Sequence, residues 1–582
     1  MTPSLLSRRP RSTASRLAVA VAAAVAVALA GIAAAPPSQG APSSRSAPAA
    51  TAQAAGVTWS GCYRWLGDNV PPGEPPVVYE CATLPVPLDH DDPRGASVLI
   101  SLVRIPATDP AHRIGSLVLN PGGPGGSGVD FALFAGPFLY TPELRARFDI
   151  VGFDPRGIAR STQLRCTGSP RQQGPWFVPL VWPETADETD AWAASDLALQ
   201  TDCDQRGGRI LDHMSTADVA RDLDLLRAAV GDEQLTYAGY SYGSYLGVTY
   251  ANLFPSRVRA LVVDGVLDPV AWSTGDPGQQ AEPFSTRLRS DVGSRDTLAE
   301  FFRLCDEAGD GCPFAAPGGS GARYDALEAR LRAHPLDLDG FAYDHRFLVG
   351  DTLGFLYSSP EWWTLADLLA ALDELSAGGS AAQRAAFEEK RRSVGSGHSG
   401  FPRYPGFEGF AGVACADSDN PTSVAAWSAA AADRAVVSRF GPLWTWVSSA
   451  CNDWPGSQQD RYVGPWTART AHPVLVASTR FDPATPLHGA QRVAGLLPGS
   501  RLLTVEGWGH TTLFLSAAAD AAVADYLLDG TLPAVGATFS QDLYPLTPPS
   551  VVADGQGAGG AASASKLRAT HLMSLRGAPY GR

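Results

Sequence analysis

Lysine is almost absent from this sequence: Lys390 and Lys566 are the only two in 582 residues, so arginine supplies nearly all the positive charge. We attribute this to codon usage in a GC-rich genome rather than to function. Acidic residues outnumber lysine and arginine by 59 to 45, and the formal net charge is -14. We therefore expect no nucleic-acid partner, because phosphate binding requires a basic surface.

One long apolar run stands at the N-terminus. Residues 17–35 are apolar and end in small residues, and they follow Arg8, Arg9, Arg11 and Arg16. A basic start, an apolar run and small residues at its end are typical of a secretory signal peptide, which we assign to residues 1–35. A retained membrane anchor is the alternative, because the run is about as long as a bilayer-spanning helix. After signal cleavage we expect no integral membrane span.

Two further segments, one after the signal peptide and one at the C-terminus, have a biased composition. Residues 36–56 are rich in Ala, Ser and Pro and are predicted to be a flexible leader. Residues 550–582 contain Gly-rich and Ala/Ser-rich stretches and are predicted to be a disordered tail. The signal peptide predicts a secreted or extracellular protein, with attachment to the cell envelope as a variant of that prediction.

The sequence contains no CxxC pair and no clustered histidines, which argues against a zinc site. An even number of cysteines, here eight, instead predicts disulfides in an exported protein. Many pairings are possible, and spacing alone does not choose among them. We expect sequential neighbours to pair: Cys62 with Cys81, Cys166 with Cys203, Cys305 with Cys312, and Cys415 with Cys451.

Short apolar runs alternate with helical patterns over much of the chain. Ser215 and Asp218 form an N-terminal capping signal for one helix, on which Val219, Leu223 and Leu226 share a face. Continuous Val/Leu/Ile runs predict strands buried on both faces, and their alternation with helices predicts an α/β fold with a parallel sheet. The candidate strands are residues 98–105, 116–119, 150–153, 235–238, 260–263, 474–477 and 502–505.

The alternation stops between residues 271 and 468. This block has helical stretches and loops that contain Gly, Pro and Trp, and alternating strands resume only near residue 474. We expect an inserted, mainly helical cap at 271–468, over the carboxyl edge of the sheet. The core would then consist of a first part, 57–270, and a second part, 469–535.

Residues 239–243 read Gly-Tyr-Ser-Tyr-Gly and match the G-x-S-x-G pattern. A predicted strand precedes them and a helical run follows, which is the context this motif requires. The strand-to-helix turn is so tight that the residues two positions before and two positions after the serine must be small, and it holds the hydroxyl at a helix N-terminus. We therefore predict that Ser241 is a catalytic nucleophile.

A serine nucleophile needs a histidine base that is oriented by a carboxylate. His510 lies in Gly-Trp-Gly-His after strand 502–505, and Asp482 follows strand 474–477. Both positions fit the chain order serine, acid, histidine, and we predict these two residues as the acid and the base. Asp264, at the end of strand 260–263, is the alternative acid, and a turn or helix cap is its other possible role.

Residues 120–128 form a glycine-rich loop, Asn-Pro-Gly-Gly-Pro-Gly-Gly-Ser-Gly, after strand 116–119. Glycines let backbone N–H groups approach a substrate and stabilise an oxyanion. We predict that the N–H groups of Gly123 and Tyr242 form this oxyanion hole. A phosphate-binding loop is disfavoured because the G-K-[ST] ending is missing, and a structural glycine turn is the remaining alternative. We expect neither a metal nor an organic cofactor.

Taken together, these motifs resemble those of the secreted bacterial tripeptidyl aminopeptidases, relatives of the prolyl aminopeptidases. The resemblance spans roughly residues 57–530 and is looser in the cap. Where prolyl aminopeptidases have histidine before Gly-Gly-Pro-Gly, this chain has Pro121, which favours the tripeptidyl group. The matching stretches read LVLNPGGPGGSG, FDIVGFDPRGIARST, LTYAGYSYGSYLGVTYANLFP, STRFDPATP and GWGHTT.

The resemblance implies an α/β-hydrolase fold and a serine exopeptidase that releases short peptides, expected to be tripeptides, from free peptide or protein N-termini through an acyl-enzyme. Its site should hold the substrate ammonium with a carboxylate, because a buried cation needs a partner. Asp417 is our candidate, with a solvated loop acid as the alternative role. Two other functions stay open: a secreted carboxylesterase or lipase with the same triad, and a non-catalytic binding protein with this fold.

Overall fold

A computed structural model describes residues 56–68, 76–338, 340–395 and 407–548. The predicted signal peptide and tail, and all but the last residue of the predicted leader, lie outside these ranges. Among the described residues, no helix is both long and apolar enough to cross a bilayer.

A mixed sheet of ten strands organises the described chain, in the order β1-β2-β3-β5-β4-β6-β7-β10-β11-β12. The strands β8 and β9 form a separate antiparallel hairpin. The strand bounds are β1 Ser60–Cys62, β2 Tyr79–Pro87, β3 Ser97–Ile105, β4 Gly115–Asn120, β5 Phe148–Phe153, β6 Leu235–Tyr240, β7 Val258–Asp264, β8 Leu336–Leu338, β9 Phe341–Tyr343, β10 Leu475–Phe481, β11 Arg501–Trp508 and β12 Thr538–Ser540.

From β5 to β12 every neighbouring pair in the large sheet is parallel, whereas β1, β2 and β3 join it in antiparallel fashion. All seven predicted strands are present. The sequence reasoning missed β2 because Pro85 and Pro87 interrupt its apolar pattern, and proline argues against a central strand. It also missed β1, β8, β9 and β12, which have only three residues each.

Helices cover both faces of the sheet. The helix bounds are α1 Arg64–Gly67, α2 Gly128–Ala135, α3 Pro142–Arg147, α4 Ala186–Arg206, α5 Thr216–Ala229, α6 Tyr242–Leu253, α7 Pro269–Ser273, α8 Phe284–Arg287, α9 Ser290–Ala308, α10 Ser320–Ala333, α11 His345–Leu356, α12 Trp362–Ser376, α13 Ala381–Gly395, α14 Phe407–Asp417, α15 Val424–Val437, α16 Gly441–Trp446, α17 Leu487–Leu496 and α18 Ala517–Asp529.

Alternate residues of each central strand face opposite helix layers, as the two-residue period of a strand requires. In β4, Leu117 and Leu119 belong to a hydrophobic cluster that includes residues of α2, α3 and α18, while Val118 belongs to a second cluster that includes residues of α5, α6 and α17. The predicted cap on α5 is confirmed, because the Asp218 N–H donates to Ser215 Oγ over 3.1 Å. Burial on both faces explains why the strand sequences are continuous apolar runs.

The helices α7–α16 and the β8–β9 hairpin lie between β7 and β10 in the chain. This inserted segment is mainly helical, as predicted, and much of it packs around a hydrophobic cluster that includes Phe301, Trp362 and Trp427. Ser358 forms a β-bridge with Gly509, so the segment contacts the loop that follows β11. The exact cap boundaries, 271 and 468, stay a prediction.

All eight cysteines are paired, and the pairing follows sequential neighbours as expected. The sequence separations are 19, 37, 7 and 36 residues. Because disulfides persist mainly in oxidising compartments, this framework is consistent with an extracellular location. The bonds are Cys62–Cys81, Cys166–Cys203, Cys305–Cys312 and Cys415–Cys451.

Candidate active site

Ser241 occupies a strained turn between β6 and α6. Its backbone has φ 54° and ψ -125°, a conformation that L-residues rarely adopt and that costs on the order of 1–3 kcal/mol. A Cβ atom at Gly239 would lie 2.2 Å from the Gly243 carbonyl oxygen, and one at Gly243 would lie 2.6 Å from the Asn120 carbonyl oxygen. Steric crowding therefore requires both glycines, and the turn presents the half-buried serine at the start of a helix.

A carboxylate and an imidazole meet beside the next strands. Asp482 follows β10 and His510 follows β11, and His510 Nδ1 lies 2.9 Å from Asp482 Oδ2. Asp482 is only 1% exposed, and its oxygens also accept the N–H groups of Ala484, Thr485 and Thr511. These donors hold the carboxylate in place, so it orients the ring with Nε2 directed away from Asp482.

The end of β7 connects the serine turn to the histidine loop. The Ser241 N–H donates to the Asp264 carbonyl oxygen over 2.9 Å. A Cβ atom at Gly265 would lie 3.3 Å from His510 Cε1. Because β6, β7, β10 and β11 are parallel neighbours, the serine, the acid and the histidine all lie at the carboxyl edge of the sheet, where ligands bind in open α/β folds.

Asp264, the alternative acid, has a different set of contacts. Both of its carboxylate oxygens accept the Thr512 N–H, over 2.8 and 2.9 Å, and the Thr512 hydroxyl donates to Oδ2. Burial raises the pKa of this carboxyl group to about 7, and the neighbouring charge of Asp482 acts in the same direction. Asp264 thus holds Thr512, two residues after His510, by hydrogen bonds. Asp482 is the carboxylate that is bonded to the imidazole.

Two residues of the site were missed by the sequence reasoning. The Thr485 hydroxyl donates to Asp482 Oδ2 over 2.9 Å and lies 3.2 Å from His510 Nδ1. The D-x-x-T spacing was a usable signal, because a side chain three residues after an aspartate can return to it in a turn. Tyr357 packs its ring against the imidazole of His510, a contact from the inserted segment that no local pattern indicates.

The glycine-rich loop lies directly against the serine turn. A Cβ atom at Gly122 would lie 2.7 Å from the Tyr242 amide nitrogen and 2.9 Å from Ser241 Cβ. The Gly122 N–H is used within the loop, where it donates to Asn120 Oδ1 over 2.9 Å. Within the described chain the Gly123 N–H has no hydrogen-bond acceptor. The loop thus places Gly122, the residue before the predicted donor Gly123, against the amide of the second predicted donor, Tyr242.

Asp417 does not lie where a substrate amine could reach it, which corrects its candidate assignment. Its side chain is 0% exposed. One oxygen accepts the Thr216 N–H over 2.8 Å, and the other accepts the Thr216 hydroxyl and Trp272 Nε1. The Thr216 hydroxyl also forms a hydrogen bond with the Tyr242 hydroxyl. Asp417 is therefore linked through Thr216 to Tyr242, the residue after Ser241. The signal that suggested it, an acid beside a cysteine in the insertion, did not distinguish buried from exposed acids.

Potential metal ligands lie outside this site. His213, Asp218 and Asp460 place one ligand atom each within 4.8 Å of one another, the one such group among the described residues. Each carboxylate oxygen of Asp218 already accepts a hydrogen bond, one from Ser215 and the other from Arg221. Fewer of its lone pairs are therefore free to bind a metal ion. The site described above brings together a serine hydroxyl, an imidazole and a carboxylate.

Comparison with family models defines the class of protein. Residues 115–297 match the model of the alpha/beta hydrolase fold, and residues 435–539 match that of TAP-like protein. The first match covers the glycine-rich loop and the serine turn, and the second covers the acid and histidine loops. The fold is therefore that of an α/β-hydrolase, as predicted.

Relatives of known name identify the family. The chain is 33% identical over 500 residues to serine protease Hip1 of Mycobacterium tuberculosis, covering 78% of this chain and 86% of that protein. It is 30% identical over 516 residues to tripeptidyl aminopeptidase of Streptomyces lividans, covering 84% and 88%. It is 32% identical over 486 residues to carboxylesterase B of Mycobacterium tuberculosis, covering 82% and 88%. The chain belongs to the tripeptidyl aminopeptidase-like family of α/β-hydrolases and is a serine hydrolase.

Among solved structures, proline iminopeptidase of Mycobacterium smegmatis aligns with 76% of this chain and 97% of its own, at 14% identity and a TM-score of 0.35.

Proposed function

We propose that this protein is a secreted serine aminopeptidase that releases short peptides, with tripeptides as the expected product, from free N-termini. The observation that carries the proposal is the hydrogen-bonded pair of Asp482 and His510 at the strand ends beside the strained turn of Ser241. The tripeptidyl aminopeptidase of Streptomyces lividans, with 30% identity over most of both chains, supports this substrate class. The four disulfides and the predicted signal peptide support secretion.

In the proposed mechanism Ser241 attacks the scissile carbonyl while His510 Nε2 takes its proton. Asp482 accepts a hydrogen bond from the Nδ1–H of the ring, which selects the productive tautomer and stabilises the imidazolium that forms. The N–H groups of Gly123 and Tyr242 stabilise the oxyanion. The leaving amine takes the proton from His510, and water then hydrolyses the acyl-enzyme by the same steps.

The specificity for a free N-terminus needs a carboxylate near the serine, because an ammonium group that leaves water requires an ionic or hydrogen-bonded partner. The inserted segment is the source we propose, since it contacts the loop that carries His510. Asp417 is excluded from this role because its oxygens are buried on Thr216 and Trp272.

A carboxylesterase is the second candidate function, and the 32% identity to carboxylesterase B over 82% of this chain favours keeping it. The same nucleophile, base and oxyanion donors serve ester and amide cleavage, so the active-site geometry does not separate the two activities. Recognition of the amine does separate them.

The test compares two chromogenic tripeptide substrates that differ only in whether the N-terminus is free or acetylated. We expect the free peptide to be cleaved with a kcat/KM at least about 100-fold higher, since the acetyl group removes the charge that the site must hold. A short-chain nitrophenyl ester serves as the control for the serine chemistry itself. Equal cleavage of both peptides would contradict the aminopeptidase proposal, and rapid turnover of the ester alone would establish the esterase.

A further inference from the structure

The segment 357–359, between α11 and α12, forms a backbone connection between the inserted segment and the histidine loop. Ser358 and Gly509 form an antiparallel β-bridge, and the His510 N–H donates to the Tyr357 carbonyl oxygen over 2.9 Å. Gly509 has φ 109°, and a Cβ atom there would lie 3.0 Å from that same oxygen. The backbone of His510 is therefore held by a residue of the insertion and not only by its own strand.

The side chain of Tyr357 makes a second contact with the same histidine. Its ring centroid lies 5.0 Å from that of the imidazole, with the planes inclined at 71° in an edge-type arrangement. Tyr357 is only 7% exposed, so the ring is fixed by its surroundings. Asp482 holds the Nδ1 end of the imidazole, and packing against Tyr357 restricts its rotation about the Cβ–Cγ bond.

Two further hydrogen-bonded links stabilise this arrangement. Gln541, just after β12, donates from Nε2 to Ser359 Oγ over 3.0 Å and accepts the Trp508 N–H at Oε1 over 3.0 Å. The Trp508 indole donates to Glu300 Oε2 on α9 over 3.0 Å. The end of β11, the segment 357–359 and α9 are thus joined around the histidine loop, which leaves little freedom for Tyr357 to move away.

We propose that Tyr357 is a positioning residue for His510. The carbonyl oxygen and the ring of Tyr357, which belongs to the inserted segment, set the orientation of the catalytic base. This inference rests on the proposed function of His510 as the general base. The inserted segment is then part of the catalytic machinery as well as a cover over it. Loss of the ring should lower the rate of the chemical step more than it weakens substrate binding, because a small misplacement of a catalytic group is costly.

The test compares Tyr357→Phe and Tyr357→Ala with Tyr343→Ala. Tyr343 is a matched control: it is a buried tyrosine in the same hydrophobic cluster, and its hydroxyl donates to Asp351 rather than contacting His510. For each purified variant, kcat and KM are measured on the free tripeptide substrate, and the rate of fluorophosphonate labelling of the serine is measured separately. Thermal unfolding establishes that the variants are folded at the assay temperature.

We expect Tyr357→Ala to lower kcat and the labelling rate by about 10- to 100-fold with KM changed less than about threefold. Tyr357→Phe keeps the ring and should stay within about twofold of wild type, as should Tyr343→Ala.

The proposal is overturned if Tyr357→Ala behaves like Tyr343→Ala. It is equally overturned if Tyr357→Phe is as impaired as the alanine variant, because the hydroxyl would then be the group that matters. A wild-type enzyme that is labelled but cleaves no tripeptide refutes the proposed substrate class, while the labelling rates still decide the role of Tyr357.

Discussion

Two buried aspartates stand at the ends of the neighbouring strands β7 and β10, and their hydrogen-bond partners separate their roles. Asp482 bonds the imidazole of His510, whereas Asp264 directs both oxygens to Thr512. In the sequence, the order of the strands favours Asp482 as the acid, with Asp264 as the alternative. Which of the two reaches the histidine depends on the path of the loop after β11, and spacing along the chain does not encode that path.

This difference predicts unequal effects of two matched substitutions. Asp482→Asn should lower kcat by about 10⁴-fold, because the amide no longer selects the productive tautomer of the histidine. Asp264→Asn should cost no more than about tenfold, since Asn can still accept from Thr512. Steady-state kinetics on the same peptide substrate measures both. Equal losses, or a larger loss for the Asp264 variant, would show that the acid is assigned to the wrong residue.

At the scale of elements, the parts of the site follow five adjacent parallel strands: β4, β6, β7, β10 and β11. The glycine loop follows β4, the serine turn follows β6, and Gly265 follows β7. The acid follows β10 and the histidine follows β11, so all of these parts lie at one edge of the sheet. Their continuous apolar runs made these strands predictable from sequence. Gly239 and Gly243, two residues before and after Ser241, were predictable too, because the turn excludes side chains at these two positions. The role of Tyr357 was not predictable from the sequence, because its contact with His510 depends on how the inserted segment packs. No periodicity or motif in the sequence indicates that packing.

The position of the glycine-rich loop can be tested with an alanine substitution at Gly122 and a matched control at Gly231. Gly122 has φ 92° and Gly231 has φ 88°, but a Cβ atom at Gly122 would collide with the Tyr242 amide while one at Gly231 would meet nothing within 4 Å. Both alanine variants should lose about 1 kcal/mol of stability from backbone strain. Gly122→Ala should in addition lower kcat by at least about 100-fold, because it displaces the oxyanion donors. Kinetics and chemical denaturation measure the two effects, and a Gly122→Ala enzyme as active as Gly231→Ala would contradict the proposed position of the oxyanion hole.

At the scale of the whole molecule, the fold buries several carboxyl groups for which the described residues provide no ion-pair partner. Asp417 is the clearest case: burial raises its pKa to about 7, although Thr216 and Trp272 donate hydrogen bonds to it. The sequence suggests Asp417 as a candidate for binding the substrate amine, with a solvated loop acid as the alternative role, and neither possibility includes complete burial. Asp417 ends α14 beside Thr216 of α5 and beside Trp272, and only the tertiary structure reveals these contacts.

A raised pKa in the folded state has a defined consequence for stability. Between about pH 4 and pH 7 the folded protein keeps the Asp417 proton while the unfolded chain has lost it, so this group makes stability fall as pH rises, by at most about 1.4 kcal/mol per pH unit. Asp417→Asn removes this contribution. Denaturant unfolding at several pH values should therefore show the variant gaining stability relative to wild type from pH 4 to pH 7. A constant difference between the two proteins across that range would contradict the raised pKa.

The account as a whole depends on Ser241 being activated by His510. The most direct measurement is intact-mass analysis after incubation with a fluorophosphonate, which labels a serine that a neighbouring base has activated. We expect one adduct on the wild-type protein, mapped to Ser241, no adduct on folded Ser241→Ala, and labelling at least about 100-fold slower on His510→Ala. Labelling that persists in Ser241→Ala, or a rate that is unchanged by His510→Ala, would contradict the account.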